Sequence, residues 1–299
     1  MKKVFVTGGS GLVGSFFVEN YSGKYKIVAP EYPKIDLTKK ETFEDIIKEE
    51  KPDVILHFAA YTDVGQAENQ RGDKDESCWQ INVEGTKNLV LLAKELNSHF
   101  IHISTDYVFP GSKEKPGPSQ EDDIPETNLD KVTWYGFTKA EGEGAVNKIL
   151  DEKRTILRII CPVRAKFPEK LDYLRKPLSL FDQGKLYPLF NDQQVTITYI
   201  DEACQVLEKI IDRKFYGIYH ASTPDLSTPF ELVSYLIEKA RGVKNAVKSS
   251  SLDEFLKIPG NSPVRYQKFG GLKVEKTQKI LGMKFSPWRQ VIEALAASY

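Results

Sequence analysis

Val4-Phe5-Val6-Thr7-Gly8-Gly9-Ser10-Gly11-Leu12-Val13-Gly14 is the stretch on which the reading of this chain turns. Val4, Phe5 and Val6 form a short apolar run with β-branched members, which reads as a buried strand. The run breaks into a turn with glycines at 8, 11 and 14, and the apolar spacing then becomes helical through Phe17 and Val18. Strand, glycine turn and helix together form the context of a phosphate-binding loop. Gly8 permits the tight turn, Gly11 lets backbone approach a pyrophosphate, and Gly14 lets the helix pack closely on the strand. The pyrophosphate would lie at a helix N-terminus, where N–H groups and the dipole favour negative charge. An ordinary glycine turn is the competing reading of such spacing. The position directly after a strand favours the phosphate loop.

Outward from this loop, strands and helices alternate. Lys26-Ile27-Val28-Ala29 reads as a second strand ending at Glu31, and Thr42 to Glu50 as a helix. Val54 to Ala60 reads as a third strand, Trp79 to Leu96 as a long amphipathic helix, and Phe100 to Ile103 as a fourth strand ending at Ser104-Thr105-Asp106. Such alternation predicts an α/β fold with a doubly wound parallel sheet. Phe109 to Lys131 is rich in Pro, Gly and acid without apolar period, which predicts a long functional or mobile loop. A helix over Tyr135–Leu150 and a strand over Thr155–Ile160 follow. Past Cys161-Pro162 the rhythm loosens, and a smaller C-terminal α/β substrate domain is expected. The division is 1–164, with strands from about 194–222 returning to that domain, against 165–193 and 223–299. Val195–Ile200 alternates as a strand before a helix over Asp201–Ile211, and Gly217–His220 reads as another strand. Thr228-Pro229-Phe230-Glu231 is a capping box with Pro at the first helical position. Two helices, Val274–Leu281 and Pro287 to about Ala297, are expected at the end.

Lys plus Arg and Asp plus Glu are equal at 42 each in 299 residues. No net field recruits nucleic acid or an acidic membrane. Cys78, Cys161 and Cys204 are widely spaced and read as buried thiols, neither a disulfide framework nor a metal site. His57 and His102 lie within strands and read as core residues. No metal site is expected. Only Met1, Lys2 and Lys3 precede the first strand and no apolar run suits a membrane span, so a cytoplasmic protein is expected.

Tyr135-Gly136-Phe137-Thr138-Lys139 places a phenol and an ammonium on one helical face. A lysine charge beside the phenol is expected to lower its pKa from about 10 and make it an acid–base group. Thr105 ends the fourth strand, where open α/β sheets hold ligands, and can share a substrate oxygen with Tyr135. Alone, this Tyr–Lys spacing also suits a tyrosine packed over a lysine stem. Its order after the glycine loop and the Ser-Thr strand end favours chemistry.

Over nearly its whole length the chain resembles the extended short-chain dehydrogenase/reductase family, and within it the dTDP-4-dehydrorhamnose reductases. The resemblance is carried by TGGSGLVG (Thr7–Gly14), IDLT (Ile35–Thr38), KPDVILHFAAYTDV (Lys51–Val64) and INVEGTKNL (Ile81–Leu89). It continues in HISTDYVFPG (His102–Gly111), WYGFTKAEGE (Trp134–Glu143) and TILRI (Thr155–Ile159). The family implies a Rossmann domain that binds NAD or NADP and a nucleotide-linked sugar held between the domains. By this resemblance Gly8, Ser10, Gly11, Leu12, Val13 and Gly14 hold the pyrophosphate, Asp36 and Leu37 lie at the adenine, and Ala59, Ala60, Tyr61 and Thr62 lie at the nicotinamide side. Thr105, Tyr135 and Lys139 match the catalytic set, with Tyr135 and Lys139 also on the cofactor. Ser104 is a further cofactor candidate, and Asp106 and Tyr107 are substrate candidates, with scaffold the competing reading for Ser104 and Asp106. Glu31, at the second strand end, suits the adenosine ribose hydroxyls and gives a slight preference for NADH; a solvated loop glutamate is the alternative.

The implied reaction is reduction of a nucleotide-linked 4-keto-6-deoxy sugar at C4, with Tyr135 as proton donor and a possible homodimer. The alternatives are a nucleotide-sugar epimerase or dehydratase, and a silent NAD(P)-binding regulatory subunit like the methionine adenosyltransferase β subunits. The chain departs from the reductase pattern in three places. Ile159-Ile160-Cys161, followed by Pro162, replaces a Thr-Ser-Trp stretch, Gly65-Gln66 replaces Asp-Lys, and Pro263–Leu272 lacks Arg-Pro-x-Asn.

Overall fold

The structure, a computed structural model, describes residues 1–299, with the side chain of Pro263 outside the described set. In chain order the elements begin β1 (Lys3–Thr7), α1 (Gly14–Tyr21), β2 (Lys26–Val28), α2 (Glu41–Glu50), β3 (Val54–His57), α3 (Val64–Glu68), α4 (Ser77–Trp79), α5 (Thr86–Glu95) and β4 (His99–Thr105). They continue with α6 (Trp134–Ile149), β5 (Arg154–Ile159), β6 (Pro162–Val163), α7 (Arg175–Asp182), β7 (Leu189–Phe190), β8 (Thr198–Tyr199), α8 (Ile200–Arg213) and β9 (Gly217–Ala221). The last are α9 (Pro229–Arg241), β10 (Ser249–Ser250), α10 (Leu252–Leu256), α11 (Glu275–Leu281) and α12 (Trp288–Ala296).

The chain divides into two compact units. The first is Met1–Phe109, Ile124–Arg158 and Cys204–Tyr219, and the second is Pro110–Asp123, Ile159–Ala203 and His220–Tyr299. A six-stranded sheet in the order β2-β1-β3-β4-β5-β9 carries the first unit. β1 pairs in parallel with β2 and β3, and β3 with β4. The expected doubly wound α/β fold is therefore the observed one. Strands covered on both faces read as continuous apolar runs, and Val4, Phe5, Val6, Ile55 and Leu56 are fully buried. The chain leaves β1 toward β2 on one side and returns to β3 on the other. The crevice beyond the carboxyl ends of β1 and β3 is thus a topological switch point.

Two local expectations in this unit need correction. The second strand ends at Val28, and Glu31 is exposed in the segment beyond it. The single helix from Trp79 to Leu96 is three pieces, with a π-helical stretch over Gln80–Gly85 between α4 and α5. Close packing accompanies that widened turn. A Cβ on Gly85 would lie 2.9 Å from Leu37 Cβ and 3.0 Å from its carbonyl oxygen. Helical insertions of this kind recur at functional sites.

In the second unit β6 pairs with β8 and β7 with β10. The capping box forms: Thr228 Oγ1 accepts from Glu231 N at 3.1 Å, and Thr228 N donates to Glu231 Oε2 at 2.9 Å. Of the alternating Val195–Ile200 segment only Thr198–Tyr199 is strand. Its threonines spend their hydroxyls on neighbouring chain instead: Thr198 Oγ1 donates to Ala221 O at 2.6 Å and Thr196 Oγ1 accepts from Ser222 Oγ at 2.6 Å. The first half of the Pro/Gly/acid loop belongs to this unit and is tied down. Gly117 N donates to Phe269 O at 2.7 Å, Ser119 N to Gly271 O at 2.9 Å, and Thr277 Oγ1 to the buried Glu121 at 2.8 Å. Cys78 and Cys204 are buried as expected, whereas Cys161 is half-buried; all three are free thiols. Among the described residues no helix is long and apolar enough to cross a membrane.

Candidate active site

Every piece of the site lies in the first unit. After β1 the chain turns at Gly8, φ +70°, a left-handed value that favours glycine. A Cβ at Gly8 would stand 2.6 Å from Ala59 N, so the loop after β1 abuts the end of β3. A Cβ at Gly14 would overlap the Gly8 carbonyl oxygen, and that contact lets α1 begin directly against the turn. Gly11 N bonds back to Gly8 O at 3.1 Å. Ser10 and Gly11 are exposed, Leu12 and Val13 half-buried. The first turn of α1 carries no acidic residue and no side-chain cap. An anion at this N-terminus would meet favourable dipole and no competing carboxylate.

The residues expected at the adenosine differ in exposure. Glu31 is exposed. The Asp36 carboxylate accepts from Thr38 N at 3.0 Å and Thr38 Oγ1 at 2.7 Å, which holds its pKa below the usual range. The Leu37 side chain is part of the core with Phe43, Ile55 and Leu89. At the end of β3, Ala59, Ala60 and Tyr61 are half-buried and Thr62 is exposed. Asn82, in the π-helical stretch, clamps this segment: its Oδ1 accepts from Tyr61 N at 2.8 Å and its Nδ2 donates to Tyr61 O at 3.3 Å and Thr138 Oγ1 at 3.0 Å. Asn82 lies within the INVEGTKNL match, but nothing in the sequence alone marks it. Its spacing from Tyr61 carries no periodic signal.

Thr105 ends β4 in the extended region, 7% exposed. Its hydroxyl donates to Asp106 Oδ1 at 3.1 Å and accepts from Tyr107 N at 3.2 Å. α6 starts at Trp134, with Thr133 Oγ1 accepting from Gly136 N at 3.0 Å and Glu68 Oε1 accepting from Trp134 N at 2.6 Å. Gly136 lies against the Tyr107 carbonyl, leaving no room for a Cβ, and the first turn of α6 therefore sits directly on the turn that follows β4. Thr105 lies close enough to the Tyr135 phenol to act on it, opposing part of the rise in its pKa. Tyr107 and Tyr135 meet edge to face with centroids 5.8 Å apart. Thr105, Asp106, Tyr107 and Tyr135 thus form one cluster. Ser104 is buried beside it, its Oγ without a hydrogen-bond partner among the described residues.

Lys139 corrects the sequence reading. Its ammonium donates to Ile103 O at 2.8 Å and meets His102 Nε2 at 3.2 Å, and neither partner is the Tyr135 phenol. The phenol is accordingly not lowered. Burial, then the Asp106 charge, push its pKa well above the ordinary tyrosine value. Burial also brings Lys139 down to about 8 and pushes Asp106 up to about 7. His57 and His102 are core residues, as expected, and burial keeps both neutral, His57 at about 3. His57 is held between Thr7 Oγ1 at 2.7 Å and Thr86 Oγ1 at 3.0 Å.

Chemically, the cluster offers a protonated phenol and a hydroxyl side by side, with a buried cation on the same helix. The glycine turn provides an anion cradle on the same sheet. Among known proteins, the dTDP-4-dehydrorhamnose reductase of Aggregatibacter actinomycetemcomitans is 30% identical over 316 residues, covering 99% of this chain and 99% of that protein. Methionine adenosyltransferase 2 subunit beta of Xenopus laevis is 28% identical over 248 residues, 77% of this chain and 70% of its own. A crystal structure of the dTDP-4-dehydrorhamnose reductase from Bacillus anthracis in complex with NADP has the same fold, with a TM-score of 0.85 and 24% identity over 100% of this chain and 99% of that one. The family model described as RmlD substrate binding domain matches residues 1–299, and the chain belongs to that family.

Proposed function

We propose that the chain is an NAD(P)H-dependent reductase of a nucleotide-linked 4-keto-6-deoxy sugar. The observation that carries this reading is the meeting of Thr105 and Tyr135 at the end of β4, with Tyr135 on the helix that also buries Lys139. The first unit fits a dinucleotide, because side chains at Gly8 or Gly14 would fill the turn with atoms that collide with backbone. Gly11, Leu12 and Val13 are assigned to the pyrophosphate, Glu31 to the adenosine ribose, and Ala60, Tyr61 and Thr62 to the nicotinamide side. When bound, the reduced nicotinamide supplies the hydride for the C4 carbonyl carbon.

Tyr135 supplies the proton. Its raised pKa keeps the phenol protonated at neutral pH, and the oxygen of a carbonyl under reduction becomes basic enough to take that proton. Thr105 hydrogen-bonds the same oxygen and orients it. Lys139 has used two of its three donors, and the third has no partner among the described residues, which leaves it for a bound ribose hydroxyl.

Dehydration of a nucleotide glucose is the weaker reading, because elimination needs an acid and a base at the strand end and the residue after Asp106 is Tyr107. A non-catalytic NAD(P)-binding subunit is supported by the likeness to methionine adenosyltransferase 2 subunit beta. The deciding experiment mixes the protein with a dTDP-4-keto-6-deoxy sugar and NADH or NADPH. Reduced cofactor should be consumed stoichiometrically, and Tyr135→Phe should slow turnover by about 100-fold or more while cofactor binding changes little. No oxidation with any 4-keto sugar favours the subunit reading, and a 4-keto product made from nucleotide glucose favours the dehydratase.

A further inference from the structure

Lys139 is 2% exposed, and its ammonium has two hydrogen-bond partners among the described residues, Ile103 O and His102 Nε2. An ammonium only donates, so His102 Nε2 accepts and the ring carries its proton on Nδ1. That Nδ1 is buried and without a hydrogen-bond partner among the described residues. A buried donor left unpaired destabilises the fold, and each such group in a native protein calls for a reason. For packing alone, an apolar side chain would serve better at a site 0% exposed, between His57, with ring centroids 5.3 Å away, and Phe100, 6.4 Å away. What histidine adds is an uncharged acceptor aimed at Lys139.

The other titratable groups facing Lys139 do not take over that role. Glu143, on the next turn of α6, is committed to Arg158 by bonds of 2.9 and 2.7 Å. The Cys78 thiol is pushed up by burial and bonds Thr138. His57 is occupied by its two threonines, and the Tyr135 phenol is not among the partners of the ammonium.

We propose that His102 is a positioning residue for the reductase: a neutral acceptor beneath Lys139 that fixes the ammonium at the end of β4 and keeps it charged. This rests on the reductase reading and acts wholly through Lys139. Losing the acceptor should let Lys139 release its proton at lower pH.

The test compares His102→Leu and His102→Asn, which remove the acceptor, with His102→Gln, whose side-chain oxygen can stand where Nε2 stood. Three measurements are made on each full-length protein: kcat/KM against pH, thermal unfolding, and the Lys139 titration by NMR of 13Cε-labelled lysine, with Lys139→Met assigning the signal. The Leu and Asn variants should lose on the order of 10- to 100-fold in kcat/KM. Their alkaline limb and Lys139 titration should move down by about one pH unit. His102→Leu removes the unpaired Nδ1–H but leaves the ammonium one acceptor short, so it should melt within a few degrees of the parent, and His102→Gln should recover most of the rate. An unchanged Lys139 titration in both acceptor-free variants overturns the proposal whether or not the protein turns over. A titration that shifts in the acceptor-free variants, when the parent protein reduces no 4-keto sugar, overturns the reductase reading and leaves the His102–Lys139 pairing standing.

Discussion

The carbonyl oxygen of Tyr107 occupies the place where a side chain on Gly136 would begin. The first turn of α6 therefore rests on the strand-end turn with only a hydrogen between them, and Tyr135 reaches Thr105 from that seat. Gly136→Ala gains about 1 kcal/mol in helix propensity but drives a methyl group into backbone that cannot swing away. The clash should win, with a net loss of about 1–3 kcal/mol. Urea unfolding measures that loss, and kcat should fall further than stability because the phenol is displaced. A Gly136→Ala protein with parental kcat would show that this contact does not set the site.

Asn82 holds the backbone of Tyr61 at both its N–H and its carbonyl. Asn82→Ala leaves a part-buried amide without its acceptor, costing about 1–3 kcal/mol. The segment Ala60–Thr62 should loosen with it. Thermal unfolding should report the first effect, and calorimetric titration with NADH or NADPH a weakened affinity. Unaltered affinity in the destabilised variant would separate this segment from cofactor binding.

Asp106 carries a carboxyl pushed up to about 7 by burial. A folded-state pKa above the unfolded one means that the native protein holds this proton more tightly, so its contribution is full below about pH 4 and lost as pH rises through about 7. Asp106→Asn has no such proton to lose. The stability difference, variant minus parent, should therefore rise steadily between about pH 4 and pH 7. Urea unfolding at stepped pH gives this difference directly, and a flat line would mean that Asp106 ionises freely.

Glu31 stands exposed beyond β2, its carboxylate without a partner among the described residues. In the proposed cofactor site it accepts from the adenosine ribose hydroxyls and repels a 2′-phosphate. NADH should then show the higher kcat/KM. Glu31→Ala should narrow the preference by about tenfold, the scale of one charge-assisted hydrogen bond. A parent enzyme faster with NADPH would remove Glu31 from the ribose site.

Local pattern was enough for the sheet, the glycine turn and the capped start of α9. Strand burial, turn chemistry and helix capping act between residues a few positions apart, so the order of side chains along the chain encodes them. The common helical face of Tyr135 and Lys139 follows from the same periodicity. Three pairings did not follow: Tyr61 with Asn82, Tyr107 with Gly136, and His102 with Lys139. Each joins a strand or strand end to a helix in a register that only the assembled sheet sets. The Tyr135 pKa moved opposite to expectation for the same reason. Spacing places an ammonium on its face, but the packed interior gives that ammonium to His102 and Ile103 and leaves burial and Asp106 to act on the phenol. Desolvation is collective: it depends on what the whole fold puts around a group, and no run of neighbours in the sequence contains that information.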